Sequence, residues 1–379
     1  MTKILIAPTA FKHALTPLQA CRAIAEGLRQ AGQTDLVEMP IADGGNGTLE
    51  AFLVRGGTRH TLTVGDPLGR PVQADYGILP DGVTAVIEMA QASGLELLSA
   101  SERDALRAST YGTGELLSAA LEAGARRFIL GMGGSATTDG GAGALQALGV
   151  RFLTASGHAE PIHGGGRLER ITGLDLSGLD ARWRDCEILI ATDVDHPAYG
   201  MQGAAHIFAP QKGASPEQVA LLDAGLAHYF GVWAEHGRDV AQLAGAGAAG
   251  ALAGGLLAGL GGRIVSGVDY LLDYLGFAEH LADADWRITG EGMLDGQSLR
   301  GKAAVGVAQR AQSAGVPCMA LVGGRGDDLP QAALEAAGIV AVFPIVPRLL
   351  PLSEALANAY ANLRQTAYQV GRVLGEAKR

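Results

Sequence analysis

Cysteine is scarce, with three copies in 379 residues, Cys21, Cys186 and Cys318, far apart and without a CxxC pair. That excludes a disulfide framework and a structural zinc site, and it suits a reducing compartment. Positive charge is short as well: 29 Lys and Arg stand against 39 Asp and Glu, for a net charge of -10. No Lys/Arg run forms a local basic arm, so nucleic acid is not expected as a partner. Charged residues make up only 18% of the chain and hydrophobic ones 48%, the reverse of a disordered composition. Long, strongly apolar runs are also missing. The opening MTKILIAPTAFKH has too short an apolar run for a signal peptide, and Lys12 and His13 interrupt the region after it. The uncharged stretch from Val240 to Gly262 is mostly Gly and Ala, whereas a membrane span needs ~20 strongly apolar residues. A glycine-rich loop leading into a buried helix fits that stretch better. These absences together predict a cytoplasmic protein with no membrane partner.

What the chain has in excess is glycine, 56 copies. Glycine accumulates where backbone turns with positive φ or approaches a ligand closely. The copies are clustered rather than periodic, which excludes collagen: Asp43–Gly47, Gly131–Gly143, Gly164–Gly166, Gly245–Gly262, Gly290–Gly301 and Gly323–Gly326.

The length suggests two domains. Lys3–Ala7 reads as a buried strand, and Pro17–Ala31 as an amphipathic helix with Thr16 as N-cap and Pro17 in its first position. Leu36–Ile41 is a second strand that runs into a glycine loop, with a helix through Leu49–Val54. This β-α-β-loop-α order marks a parallel sheet. From about Thr58 to Met89 short strands alternate with turn signals, the pattern of an antiparallel or mixed sheet. Gly114–Ala123 reads as a helix, Arg127–Gly131 as a strand and Ala142–Leu148 as a helix. Strands near residues 286, 318 and 340, separated by helices, return to the first style, and a last helix covers Leu352–Leu374. The expected architecture is α/β: a five-strand doubly wound sheet built from residues 1–55 plus 281–379, with a second α/β domain inserted at 56–280.

Several constellations could carry chemistry. Gly131-Met132-Gly133-Gly134-Ser135-Ala136-Thr137-Thr138-Asp139 follows a strand and precedes a helix. Backbone N–H groups there can converge on an anion, and Ser135, Thr137 and Thr138 add hydroxyls. GMGGSA also fits the GxGxxA form of a dinucleotide fingerprint. That fingerprint needs an acid at the end of the next strand, where Thr154-Ala155-Ser156 stand instead. A phosphate loop therefore fits better than a nicotinamide site. The literal GxGxxG at Gly245–Gly250 comes after a stretch, Asp239–Leu243, that looks helical, and packing explains it best. Gly296–Ala303 is nearly a Walker A loop, but Ala303 replaces the Ser or Thr that binds Mg²⁺. Gly290–Asp295 also separates it from the preceding strand. Glu291 and Asp295 remain as two carboxylates near a strand end, and Lys302 is a candidate phosphate contact. Asp43 opens a glycine loop at the C-terminal end of a strand, where ligands of parallel sheets bind, although Asp-Gly is also common in turns. Asp193 and Asp195 come just after the strand Ile188–Ala191, with Lys212 downstream. A carboxylate near a lysine suits Mg²⁺ and phosphate, or a general base with an electrostatic clamp.

Over essentially its whole length the chain resembles the bacterial glycerate kinase family that forms 2-phosphoglycerate. The resemblance rests on IAPTAFKHAL (6–15), ADGGNGT (42–48), ASGLELL (92–98), STYGTGELL (109–117), GMGGSATTDGGAG (131–143), TDVDHPAYG (192–200), FAPQKGA (208–214), GAGAAG (245–250) and TGEGMLDGQSLRGK (289–302). It implies a flavodoxin-like domain and a second α/β domain with the active site in the cleft between them. It also implies MgATP as donor and the 2-hydroxyl of D-glycerate as acceptor. In-line phosphoryl transfer depends mainly on positioning and charge stabilisation. The expected roles are nucleotide binding for Gly133, Gly134, Ser135, Ala136, Thr137, Asp139 and Lys302, and catalysis for Asp193, Lys212, Lys12 and Asp43. Mg²⁺ is expected at Asp295 and Glu291. The family usually has Asp-Ser where Thr9-Ala10 stand, Glu at Asn46, Asn at Thr138 and His196, and Arg at Met293. These departures leave open a kinase for another small hydroxy or sugar acid, or a non-catalytic nucleotide- or acid-binding protein. A homodimer is left open too.

Overall fold

The computed structural model describes residues 2–296, 298, 303–327 and 329–376. Its strands, in chain order, are β1 (Ile4–Ile6), β2 (Leu36–Glu38), β3 (Thr58–Gly65), β4 (Pro71–Ile78), β5 (Thr84–Glu88), β6 (Arg127–Gly131), β7 (Arg151–Thr154), β8 (Ile171–Asp175), β9 (Glu187–Ala191), β10 (Arg263–Val265), β11 (Trp286–Leu294), β12 (Cys318–Arg325) and β13 (Ile339–Pro344). The chain forms two compact units: Met1–Asp43, Glu50–Val54 and Val268–Arg379 make the first, and Gly44–Leu49 with Arg55–Gly267 make the second.

The first unit holds a five-stranded sheet in the order β13-β12-β11-β1-β2, parallel throughout. Counted from β2, that is the 2-1-3-4-5 order of flavodoxin-like sheets, whose ligands sit beyond the strand ends flanking the order reversal. Side chains alternate across the sheet as the two-residue strand period requires. Ile4, Ile6, Ile288, Met319 and Leu321 pack with the helices Pro17–Gln30 and Ala359–Glu376. Cys318, Ala320 and Val322 face the opposite way, toward Val305, Ala308 and Leu334. Apolar cores on both faces are what a doubly wound sheet needs. The first helix starts as its sequence predicts: Thr16 Oγ1 accepts from the Gln19 amide at 3.3 Å, the Gln19 side chain accepts from the Thr16 amide at 2.9 Å, and Pro17 stands directly after the cap.

The second unit carries a six-stranded mixed sheet, β10-β9-β6-β5-β4-β3, and a two-stranded ribbon, β7-β8. Strands β10, β9, β6 and β5 are parallel, and β5, β4 and β3 antiparallel. Its core draws on the buried segment Ala248–Leu260, helical except for a left-handed turn at 249–251, whose residues through Gly259 are almost wholly enclosed. No helix among the described residues is long and apolar enough to cross a membrane.

Three local expectations are corrected. Strand β11 runs on to Leu294, so little more than Asp295 separates it from the Walker-like stretch, and only Ala303 still argues against a P-loop there. Residues 239–243 are turn rather than helix. The helix Pro216–Glu235 ends just before Gly237 at φ 76°, and the Ala241 carbonyl is drawn off to the Ala198 amide at 2.8 Å. The last helix is two, Leu352–Ala357 and Ala359–Glu376, separated by Asn358 with φ -100° and ψ 9°.

Candidate active site

In the second unit the C-terminal ends of β5, β6 and β9 lie side by side, with Glu88 opposite Gly131 and Gly131 opposite Ala191. Two glycine loops that are 87 residues apart in sequence at Gly44 and Gly131 stack there. The Gly133 amide donates to the Gly44 carbonyl at 2.9 Å. A Cβ on Gly44 would stand 2.4 Å from the Ala191 carbonyl oxygen, and one on Gly133 2.4 Å from Gly45 Cα. Any side chain at either position would force the layers apart, which is why the sequence is glycine on both sides. Further ties hold the stack. Glu88, buried at the end of β5, accepts from the Leu49 amide at 2.7 Å. Asn46 donates to Glu96 at 2.9 Å, and the Leu95 amide donates to the Gly134 carbonyl at 2.8 Å.

Behind this loop lies a brace. The Gly140 amide donates to the Gly250 carbonyl at 3.0 Å. Residues 249–251 are all left-handed, with φ of 55°, 66° and 66°. A Cβ on Gly250 would meet the Thr137 carbonyl at 1.9 Å, while Ala249 and Ala251 carry strain of roughly 1–2 kcal/mol each. The GAGAAG motif is thus a buried support for Thr137–Gly140.

Lys212 is the charged centre of the site. It is 1% exposed, and its ammonium donates to Ser135 Oγ at 2.9 Å and to the Thr137 carbonyl at 2.5 Å. Burial pushes its pKa down to about 7, opposed by the charge of Asp139. Gly134 is exposed and Gly133 and Ser135 are half-buried, whereas Ala136, Thr137 and Thr138 are buried. Asp193 and Asp195 are exposed past the end of β9, and Asp43 is exposed just before Gly44.

Asp139 requires a correction. Its carboxylate is fully buried and accepts from the Thr110 amide (2.8 Å), Thr110 Oγ1 (2.9 Å), the Gly141 amide (3.1 Å) and the Gly143 amide (3.3 Å). Burial raises its pKa and these donors counter the rise. With its oxygens spent inside the protein it presents nothing to a nucleotide. Thr138 is likewise enclosed, so the departure there bears on packing.

The first unit gathers a second group around the order reversal between β1 and β11. The Thr9 amide and Oγ1 both donate to the Gly290 carbonyl, at 2.7 and 3.1 Å. The Gly292 Cα faces the Lys12 amide. Lys12 itself is exposed in a turn closed by the Phe11–Leu15 bridge, with His13 at φ 63°. Glu291 is buried within β11, and Asp295 Oδ1 caps a turn by accepting from the Ser298 amide at 3.1 Å. At ~3.3 Å of rise per residue the two acids are set ~13 Å apart along the chain. Among the described residues no group of three His, Cys, Asp or Glu is preassembled for a metal. Lys302 lies outside the described residues.

Sequence reasoning missed Glu88 and Thr110. Glu88 carries the same signal that drew attention to Asp43, an acid at the end of a buried strand. Thr110 sits inside STYGTGELL, and nothing in that string reveals a tie to Asp139, 29 residues on.

Comparison with known proteins gives a consistent answer. The profile of the glycerate kinase family matches residues 4–375. The chain is 44% identical to a glycerate kinase of Halalkalibacterium halodurans over 377 residues, 98% of each chain. It is 43% identical to glycerate 2-kinase of Escherichia coli K12 over 376 residues, again 98% of each. A crystal structure provisionally described as glycerate kinase 2 from Salmonella typhimurium LT2 superposes with a TM-score of 0.85 at 41% identity, covering 100% of this chain and 99% of that one. The chain belongs to the glycerate kinase family.

Proposed function

We propose that this member of the glycerate kinase family transfers the γ-phosphoryl group of ATP to the 2-hydroxyl of D-glycerate, giving 2-phosphoglycerate and ADP. The observation that carries the reading is the buried Lys212, whose ammonium is held against Ser135 and Thr137 of a glycine loop at parallel strand ends. Phosphoryl transfer asks little covalent chemistry of a protein and much positioning and charge stabilisation, and an enclosed ammonium supplies the second.

Gly133, Gly134 and Ser135, the accessible part of the loop, receive the nucleotide phosphates, with Lys212 beneath them. Asp43 and Asp193 suit Mg²⁺ as hard oxygen donors: both are exposed, and each is within two residues of the Gly44–Ala191 contact. Mg²⁺, when bound, would neutralise charge on the transferred phosphoryl group. One of the two carboxylates takes the hydroxyl proton of the acceptor, and Lys12 neutralises the acceptor carboxylate. Localisation in the cytoplasm accords with the cysteine content and with a phosphorylated product.

Purified protein is incubated with MgATP and a panel of small hydroxy acids led by D-glycerate. ADP release is monitored, and phosphorus NMR identifies the product. Turnover giving 2-phosphoglycerate is expected. Turnover only on another acid would keep the kinase and move the acceptor, which Asn46 and Thr9 would then explain. ATP binding without turnover on any acid would overturn the reading in favour of a binding protein.

A further inference from the structure

The role given to Lys212 needs a positive charge where water is almost excluded. Its two partners, Ser135 Oγ and the Thr137 carbonyl, are neutral. An ammonium in such a place tends to lose its proton unless an opposite charge stands nearby. Asp139 is that charge. It lies two residues past Thr137, and its field opposes the loss of the Lys212 proton. Among the described residues, Asp139 is the charge that acts on Lys212 in that enclosure. Thr137 and Thr138 do not titrate, and the Tyr229 phenol on the helix Pro216–Glu235 is kept neutral by burial. Arg103, against Gly213, directs its guanidinium to the Gln211 carbonyl at 3.5 Å.

The carboxylate is also fixed in place. Thr110 gives it both an amide and a hydroxyl hydrogen, while Thr110 Oγ1 accepts from the Ala144 amide at 2.9 Å. One side chain thereby joins the starts of the helices Tyr111–Glu122 and Ala142–Ala147 to the back of the loop. Its four hydrogen bonds hold the ionised form against the cost of burial.

We propose that Asp139 is a positioning residue that touches no ligand and supplies, from behind the loop, the negative charge Lys212 needs to meet phosphate as an ammonium. Phosphate binding at the loop and the proton on Lys212 are then linked. This rests on the loop being the nucleotide site. The direction comes from the charges. Burial already brings Lys212 down to about 7 and Asp139 pulls the other way. Removing the Asp139 charge lowers it further, so the ammonium is lost at a lower pH.

The test is kcat and KM for MgATP between pH 6 and pH 9 in the wild type, Asp139→Asn and Thr110→Val. The KM defect of Asp139→Asn should be ~5-fold larger at pH 8 than at pH 6, the effect of lowering a group near 7 by about one pKa unit. Thr110→Val keeps the charge and loses a tether, so its defect should not depend on pH. An Asp139→Asn defect equal at both pH values would overturn the proposal. Should Asp139→Asn fail to fold, calorimetry on the wild type decides. MgATP binding at pH 8, in buffers of high and low ionisation enthalpy, should take up close to one proton, and Lys212→Met should abolish the uptake. Binding with uptake below ~0.2 proton would overturn the proposal alone. Absence of MgATP binding would overturn the nucleotide-site reading and the proposal together.

Discussion

Both sheets carry glycine clusters toward the C-terminal ends of parallel strands, yet the two edges are built on opposite plans. In the mixed sheet the loops 43–48 and 131–139 interlock at backbone distance, a left-handed turn braces them from behind, and the cation is enclosed. In the parallel sheet the turn after β1 is tied to β11 through the backbone and a short side chain, while Lys12 and Met293 project into solvent. A buried charge is already desolvated and aimed, which makes it strong toward a ligand and costly to the fold. An exposed charge costs the fold almost nothing and contributes when a ligand excludes water from it. Stability and activity should therefore be coupled at the first edge and separable at the second.

The largest effect should come from Lys212→Met, with turnover falling ~10³-fold or more, as when a preorganised charge-stabilising group is removed. The same variant tests the cost of the buried cation. In the folded protein Lys212 releases its proton near 7, while in the unfolded chain it keeps it to the ordinary 10.5. Between these values the unfolded chain binds more protons, so stability from this group should rise as pH rises from about 7. Urea titrations at pH 7 and pH 9 should show that rise in the wild type and lose it in Lys212→Met. An unchanged pH dependence would mean that burial of the lysine carries no cost to the fold.

Paired glycine substitutions come next. Gly44→Ala forces a Cβ to 2.4 Å from a backbone oxygen at φ +87°, whereas in Gly292→Ala the nearest atom is 3.2 Å away. The first should lose roughly 3 kcal/mol or fail to fold, and the second less than ~1 kcal/mol, by denaturant titration. Equal costs would erase the distinction between the two edges.

Lys12→Met should separate the two properties. kcat/KM for the acid acceptor should fall ~10–100-fold with the melting temperature within ~1 °C, because the side chain is exposed. A melting shift of several degrees would show that Lys12 supports the fold after all. The smallest effect is expected for Asn46→Asp. It replaces the amide that donates to Glu96 with a second carboxylate on an exposed loop, and KM for MgATP should change by less than ~5-fold, with the sign reporting whether that corner meets the metal-bound phosphates.

Much of the frame was legible from local chemistry. Thr16-Pro17 with Gln19 announces a helix start, because the cap, the proline and the box are all satisfied within four residues. KILIA announces a buried strand because a short run of aliphatic residues has no exposed face. The glycine clusters marked where backbones would come close, and they did so at both edges. Strand β11 was read too short because Gly290-Glu291-Gly292 looks like a loop. It is a strand because β12 pairs with it as far as Leu294, a contribution that no window of neighbouring residues contains. Asp139 was misread for the complementary reason. In sequence it resembles any other aspartate of a glycine loop, and its orientation is set by Thr110, on another segment.

The class of fold, the places of the close-packed loops and the family were all written along the chain, since periodicity, caps and motif strings are local and carry their physics with them. Which charged side chains are dry and which are wet was settled by tertiary packing alone. Lys12 and Lys212 are the same residue type beside similar turns. One is exposed and the other is 1% exposed against Ser135 and Thr137, because desolvation depends on everything packed around a group rather than on its neighbours along the chain.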